Sequence, residues 1–141
     1  MRIWRDPEVI KRLLTTPATW AVVGLSANTR RAAYGIGQYL RDQLGMSIVP
    51  VNLRGEDALG VRGYRRLADV PAPVQVVDCF VNSQRVGAVV DQATTEKDRL
   101  GIEAVASARR ARARAIVRPG EECRRLKQCL MTPGTHVIFQ C

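Results

Sequence analysis

From Gly24 to Arg31 the chain reads GLSANTRR: a glycine, then a hydroxyl, an amide and two guanidinium groups within eight residues. These residue types in this order suit a phosphate. Glycine lets the backbone approach an anion closely, Ser26 and Asn28 bring short hydrogen-bonding side chains, and Arg30 and Arg31 add fork-shaped, charge-assisted donors. The apolar run TWAVV precedes the turn and the amphipathic stretch AAYGIGQYL follows it. A strand feeding a helix in this way leaves the first helical amides, and the positive end of the helix dipole, facing the turn. The pattern is not the dinucleotide fingerprint G-x-G-x-x-G, because one glycine stands where that motif wants two in close succession. VPVNLRGED also places Asn52, rather than a carboxylate, at the end of the next apolar run, which argues against NAD.

Such a turn becomes a site only when other strand ends converge on it. DPEVIKRLLTT predicts a first helix, with Asp6 as N-cap, Pro7 at the first helical position and Val9, Ile10, Leu13 and Leu14 at helical spacing, ended by Pro17. TWAVVGL, MSIVPVN and VQVVDCFVN are short continuous apolar runs, the mark of strands buried on both faces. AAYGIGQYLRDQLG predicts a helix with Ile36, Tyr39, Leu40 and Leu44 on one face and Gly45 as C-cap. LRGEDALGVRGYRRLADVPAP reads as a loop holding a short helix around RRLADV, with Asp69 starting the DVP turn. SQRVGAVVDQATTEKDRLG predicts a helix capped by Ser83, with Val86, Val89, Val90 and Ala93 facing inward.

This order implies right-handed crossovers and a Rossmann-like, three-layer α/β/α fold around a mainly parallel sheet. Ligands in such folds sit at the carboxyl ends of the strands. Gly24–Arg31, Val51–Asn52 and Phe80–Val81–Asn82 would line that edge as a phosphate cradle, a polar amide and an apolar wall. The mixture suits an adenine nucleotide with an attached chain. Leu25, Tyr34 and Tyr64 complete the candidate set, with packing as the alternative role for the two tyrosines.

Composition bounds the reading. The 141 residues are 46% apolar and 25% charged, with mean hydropathy -0.11, and make room for one domain rather than two. No apolar run approaches the roughly eighteen residues of a membrane span. MRIWRDPEVIKRLL lacks the apolar core and cleavage site of a signal peptide, so a cytoplasmic protein is expected. Cys79, Cys123, Cys129 and Cys141 form no C-x-x-C pair and His136 is the single histidine, so no metal site is expected. The formal charge of +9 invites a nucleic-acid partner. Most of it comes from one stretch, Arg109, Arg110, Arg112, Arg114, Arg118, Arg124, Arg125 and Lys127 against Glu121 and Glu122.

WAVVGLSANTRRAAYGIGQYL, IVPVN, GYRRLADVP and VVDCFVNSQRVGAVVDQA together resemble the single-domain CoA-binding proteins of bacteria. That family is similar to the CoA-binding N-terminal domain of the succinyl-CoA synthetase α subunit. Its pattern, G-[LA]-S-x-[ND]-x-x-R, a strand ending P-V-N, Y-x-x-L-x-D-[IV]-P and V-D-x-F, occurs in order from Trp20 to Ala93. The resemblance implies coenzyme A as ligand, with Gly24, Ser26, Asn28 and Arg31 on its phosphates. It places Val51 and Asn52 by the nucleotide, and Phe80 and Val81 beside the adenine or pantetheine. Leu53 departs from the proline that commonly follows P-V-N. No catalytic constellation accompanies these residues, and the synthetase's phosphohistidine belongs to a domain this sequence does not contain. Non-catalytic binding of coenzyme A or an acyl-CoA is therefore the expected function. The alternatives are a nucleic-acid-binding protein using the basic 109–125 segment, and a CoA-binding subunit of a two-chain acyl-CoA synthetase.

One domain is expected, laid out as an N-terminal helix (1–18), a family-like core (19–105), an atypical Arg-rich segment (106–128) and a tail (129–141). After Val105 the family expects W-[LM]-Q-x-G-[VI], a fourth strand and its loop, where this chain reads ASARRARARA. Encoded as GTG GCT TCA GCT CGG CGT and read one nucleotide later, Val105 to Arg110 becomes Trp-Leu-Gln-Leu-Gly-Val. A frameshift beginning near Val105 accounts for the segment, with a compensating shift before KQCLMT; a divergent native tail is the alternative. Alternating Ala and Arg are expected to form an exposed helix rather than a fourth strand. THVIFQC reads as an exposed edge strand that pairs between chains in a homodimer.

Overall fold

The computed structural model describes residues 7–108 and 136–140, so the expectations for Asp6, the 109–135 segment, Cys123, Cys129 and Cys141 lie outside the described residues. β1 (Thr19–Val23), β2 (Ser47–Val51), β3 (Val76–Cys79), β4 (Ala104–Ala108) and β5 (His136–Gln140) form one sheet in the order β2-β1-β3-β4-β5, every pairing parallel. Among the described residues three α-helices accompany it: α1 (Pro7–Thr15), α2 (Ala32–Asp42) and α3 (Ser83–Leu100). A single 3-10 turn, Leu67–Asp69, interrupts the long connection from β2 to β3.

Alternation along the central strands divides the core into two layers. Ala21, Val23, Val77, Cys79 and Val105 point to one face, where Val86, Val89, Val90 and Ala93 of α3 meet them together with Leu67 and Val70. Trp20, Val22, Ile48 and Val76 point to the other, against Leu13 of α1 and Ala33 and Leu40 of α2. Both faces are covered, which is why the strands read as continuous apolar runs. Leu25, Leu67 and Leu100 are among the fully buried side chains, each contributing about 1.5–3 kcal/mol by burial. Among the described residues no helix is long and apolar enough to cross a membrane.

Four expectations are corrected. The buried face of α2 is Ala33, Gly37 and Leu40, while Ile36 and Tyr39 are 39% and 53% exposed. Small residues win that face because α2 lies close on Leu25 and Leu59, each with a methyl 3.2 Å from where a Cβ on Gly37 would stand. The N-cap of α3 is Asn82 rather than Ser83, its side chain accepting from the Arg85 amide. A fourth strand does form: β4 pairs with β3 from Val76↔Ala104 to Cys79↔Ser107. It asks nothing of arginine, because it ends at Ala108, and Val105 alone supplies a buried β-branched side chain against α3. The THVIFQC strand pairs within the chain, as β5 beside β4, which satisfies backbone groups that β4 would otherwise leave open.

Candidate functional site

The strand order reverses direction between β1 and β3. The chain leaves β1 for β2 on one side through α2, and leaves β3 for β4 on the other through α3. At such a switch point the loops after the two strands diverge and open a crevice. A cleft of about 580 Å³ lies there. Its walls come from the ends of β1, β2 and β3, the first turns of α3 and the segment before the 3-10 turn.

Gly24 begins the turn after β1 with φ +101°, and a Cβ there would stand 2.5 Å from the Phe80 carbonyl oxygen. The sequence reading assigned this glycine to close approach by a ligand; the structure shows that the neighbouring strand already demands it. The Gly24 amide donates to the Val51 carbonyl at 2.7 Å and the Phe80 amide to the Val23 carbonyl at 2.7 Å, tying three strand ends together. Beyond it the loop folds on its own side chains. Ser26 Oγ accepts from the Asn28 amide at 3.3 Å, and Asn28 Oδ1 from the Arg30 amide at 3.1 Å. The loop ends at Arg31, the extended N-cap residue of α2, and no side chain caps that helix. An uncapped helix start leaves amide donors and the positive dipole end directed at the cleft.

Asn52 behaves differently from the expected ligand-facing amide. Its Nδ2 donates to the Leu25 carbonyl at 2.9 Å and the Glu56 carbonyl at 2.8 Å, while its Oδ1 accepts from the amides of Arg54 at 3.2 Å and Glu56 at 2.9 Å. The amide is saturated by the protein and joins the loop after β1 to the loop after β2. Asn82 is likewise engaged, its Oδ1 accepting from the Arg85 amide at 3.1 Å, so the start of α3 has a side-chain cap that the start of α2 lacks.

Of the residues singled out from the sequence, Gly24, Ser26, Asn28, Arg31, Val51, Asn52, Phe80, Val81 and Asn82 line the cleft. Four do not. Leu25 is fully buried beneath α2, Tyr34 packs half-buried against the same layer, and Arg30 is exposed outside the lining. Tyr64 runs beside β2, its amide donating to the Pro50 carbonyl at 3.0 Å, with the Arg62 guanidinium 5.5 Å from its ring centre.

The sequence reading missed Arg54, Arg65, Arg66 and Arg85, all of which line the cleft, along with Leu53, Val89 and Gln92. The available signal was the RR doublet of GYRRLADVP, two adjacent guanidinium groups with a single nearby carboxylate, Asp69. Glu56 is the only acidic residue among the described lining residues, and it pairs with Arg54 at 3.4 Å. Arg66 pairs with Asp69 at 3.2 Å. Arg31, Arg65 and Arg85 have no carboxylate partner among the described residues. The cleft is strongly cationic, with an apolar floor of Val23, Val51, Phe80 and Val81.

Fold and cleft together define a doubly wound α/β domain with a crevice at its switch point. The chain belongs to the CoA binding domain family, whose family model matches residues 18–135. It is 31% identical over 83 residues to the uncharacterized protein YneT of Bacillus subtilis. It is also 30% identical over 60 residues to subunit alpha of the ADP-forming acetate–CoA ligase II of Pyrococcus furiosus. These matches cover 59% and 43% of the chain and span 61% and 13% of the two relatives, less than two thirds of either. A hypothetical protein from Pyrococcus horikoshii superposes with a TM-score of 0.75 at 24% identity, over 98% of this chain and 87% of that one. The dinucleotide-forming acetyl-coenzyme A synthetase 1 of Ca. Korarchaeum cryptofilum, in complex with phosphate and ADP, does so at 0.68 and 23%, over 91% of this chain and 26% of that one. Both are likenesses of fold.

Proposed function

We propose that the chain binds coenzyme A or an acyl-CoA in this cleft and catalyses no reaction of its own. The observation that carries the reading is the uncapped start of α2, with Arg31 beside it, opening on the switch point. The donor set suits the ligand. Phosphate oxygens take the amides of the α2 start, the Ser26 hydroxyl, the Asn28 amide group and the Arg31 guanidinium. A base or pantetheine arm takes the apolar floor of Val51, Phe80 and Val81. Asn52 contributes by position, holding the phosphate loop against the loop after β2. Glu56 is tied to Arg54, and Ser26 Oγ to the Asn28 amide, so neither is arranged as a base or nucleophile.

Titration calorimetry with coenzyme A, with NAD and ADP as controls, tests the proposal. Saturable binding of coenzyme A in preference to NAD is expected, and Arg31→Ala weakens it about tenfold or more, the worth of a charge-assisted hydrogen bond. Silence from a protein whose circular dichroism shows it folded overturns the reading. The match to the ligase subunit alpha favours a second reading, a CoA-binding subunit of a two-chain acyl-CoA synthetase. Co-purification of a second, nucleotide-binding chain from the source cells would support it.

A further inference from the structure

Leu59 is the one residue other than glycine, among the described residues, whose φ is positive, at +53°. Gly60 follows at +73°, and Ala58 and Val61 exchange backbone hydrogen bonds of 3.1 and 2.9 Å around the pair. Two central residues with positive φ mark a type I′ hairpin turn. Asn or Asp takes the first of these positions at little cost, whereas a leucine Cβ crowds the neighbouring carbonyl there. A leucine kept in that place signals that its side chain is needed.

Its contacts show where. A Leu59 methyl lies 3.2 Å from where a Cβ on Gly37 of α2 would stand, over the bare face of the helix. One turn further along, Arg41 Nη1 donates to the Leu59 carbonyl at 2.9 Å, while its Nε pairs with Asp42 at 2.7 Å. Side chain and backbone of one residue are thus fastened to successive turns of one helix. The loop that carries Leu59 is tied within itself as well. Asn52 holds its root to the Leu25 carbonyl, and the Gly63 amide donates to Asp57 Oδ1 at 2.9 Å. That loop supplies Leu53, Arg54 and Glu56 to the cleft, and Arg31 lines it from the start of α2.

We infer that Leu59 is a positioning residue, whose strained turn latches the loop after β2 onto α2 and fixes the spacing between Arg31 and the loop-borne part of the cleft. Leu59 does not line the cleft itself and acts through α2. The inference rests on the ligand reading given above.

Two variants of the full chain test it. Leu59→Asn accepts the left-handed backbone but gives up the contact with Gly37, and Leu59→Met keeps an apolar side chain there. In Leu59→Asn, hydrogen exchange at the amides of residues 36–40 should quicken about tenfold, while residues 86–90 of α3 stay within about twofold. Calorimetry should show coenzyme A binding about fivefold or more weakly to Leu59→Asn, and within about twofold of the parent to Leu59→Met. In Leu59→Asn/Arg31→Ala the combined loss should fall short of the product of the two single losses, because both act on the α2 start. A side chain that only stabilised the fold would leave the affinity of the folded protein unchanged. Unchanged exchange in α2, a Met variant as weak as the Asn variant, or losses that multiply each overturn the inference. If Arg31→Ala weakens coenzyme A and Leu59→Asn does not, the inference fails and the proposed function stands. If the folded parent does not bind coenzyme A, the proposed function fails, and the exchange pattern alone decides whether Leu59 holds α2.

Discussion

Asp78 sits in the middle of β3 at 6% exposure, and its carboxyl has no hydrogen-bond or ionic partner among the described residues. Burial penalises its charged form and pushes the carboxyl up to about 7. The same burial, with the Asp78 charge beside it, pushes the Cys79 thiol up as well, which leaves that sulfur an inert core group. Because the folded chain holds the Asp78 proton more tightly than the unfolded chain, this group favours folding at low pH. Its contribution is complete below about pH 4 and is lost as pH rises toward about 7. Asp78→Asn keeps the shape and removes the titration. We expect the variant to melt above the parent at pH 8 and the gap to close as pH falls to about 4; parallel melting curves across that range would refute the assignment. Gly63 shows a different residue-scale demand. A Cβ there would lie 1.8 Å from the Glu56 carbonyl oxygen, so only glycine closes the loop that carries Arg54 and Glu56.

At the scale of elements, side chains rather than loop sequences position the cleft walls. Arg99 of α3 donates to the carbonyls of Val70 at 2.9 Å, Leu67 at 3.0 Å and Ala68 at 3.1 Å, pinning the 3-10 turn that follows Arg65 and Arg66. Asn52 does the same between the loops after β1 and β2. Asn52→Ala leaves two carbonyls and two amides without their partner, and should lower stability by about 2–3 kcal/mol in urea unfolding. Asn52→Asp should fare no better, because a carboxylate would face the Leu25 and Glu56 carbonyls that now accept from Nδ2. A change below about 0.5 kcal/mol in Asn52→Ala would show that the two loops hold their places without the amide.

Over the whole molecule, charge is distributed to match the cleft. Arg31, Arg54, Arg65, Arg66 and Arg85 converge on it against Glu56 alone among the described lining residues. Binding of a polyanion there should weaken about tenfold when salt is raised from about 0.05 M to about 0.5 M, because exposed charges are screened. Salt-independent binding of coenzyme A would place its recognition on the apolar floor instead. The segment 109–125, which carries the nucleic-acid alternative, lies outside the described residues.

The sequence by itself determined the layering of strands and helices, because strands buried on both faces leave continuous apolar runs and α3 leaves an apolar stripe through Val86, Val89, Val90 and Ala93. It also marked the turn from Gly24 to Arg31 as the place for an anion, since glycine and donor types show in one dimension. Tertiary structure alone decided what those groups are free to do. Gly24 answers to the Phe80 carbonyl, Asn52 is spent on four backbone partners, and Asn82 caps α3. Arg65 and Arg85, twenty residues apart in the chain, reach one cleft only because the segment before the 3-10 turn packs against α3. β4, and the partner of β5 though not its being a strand, were illegible for a related reason. A strand of small residues, and one far along the chain, form because a neighbouring ladder offers unpaired backbone, and that offer is absent from the sequence.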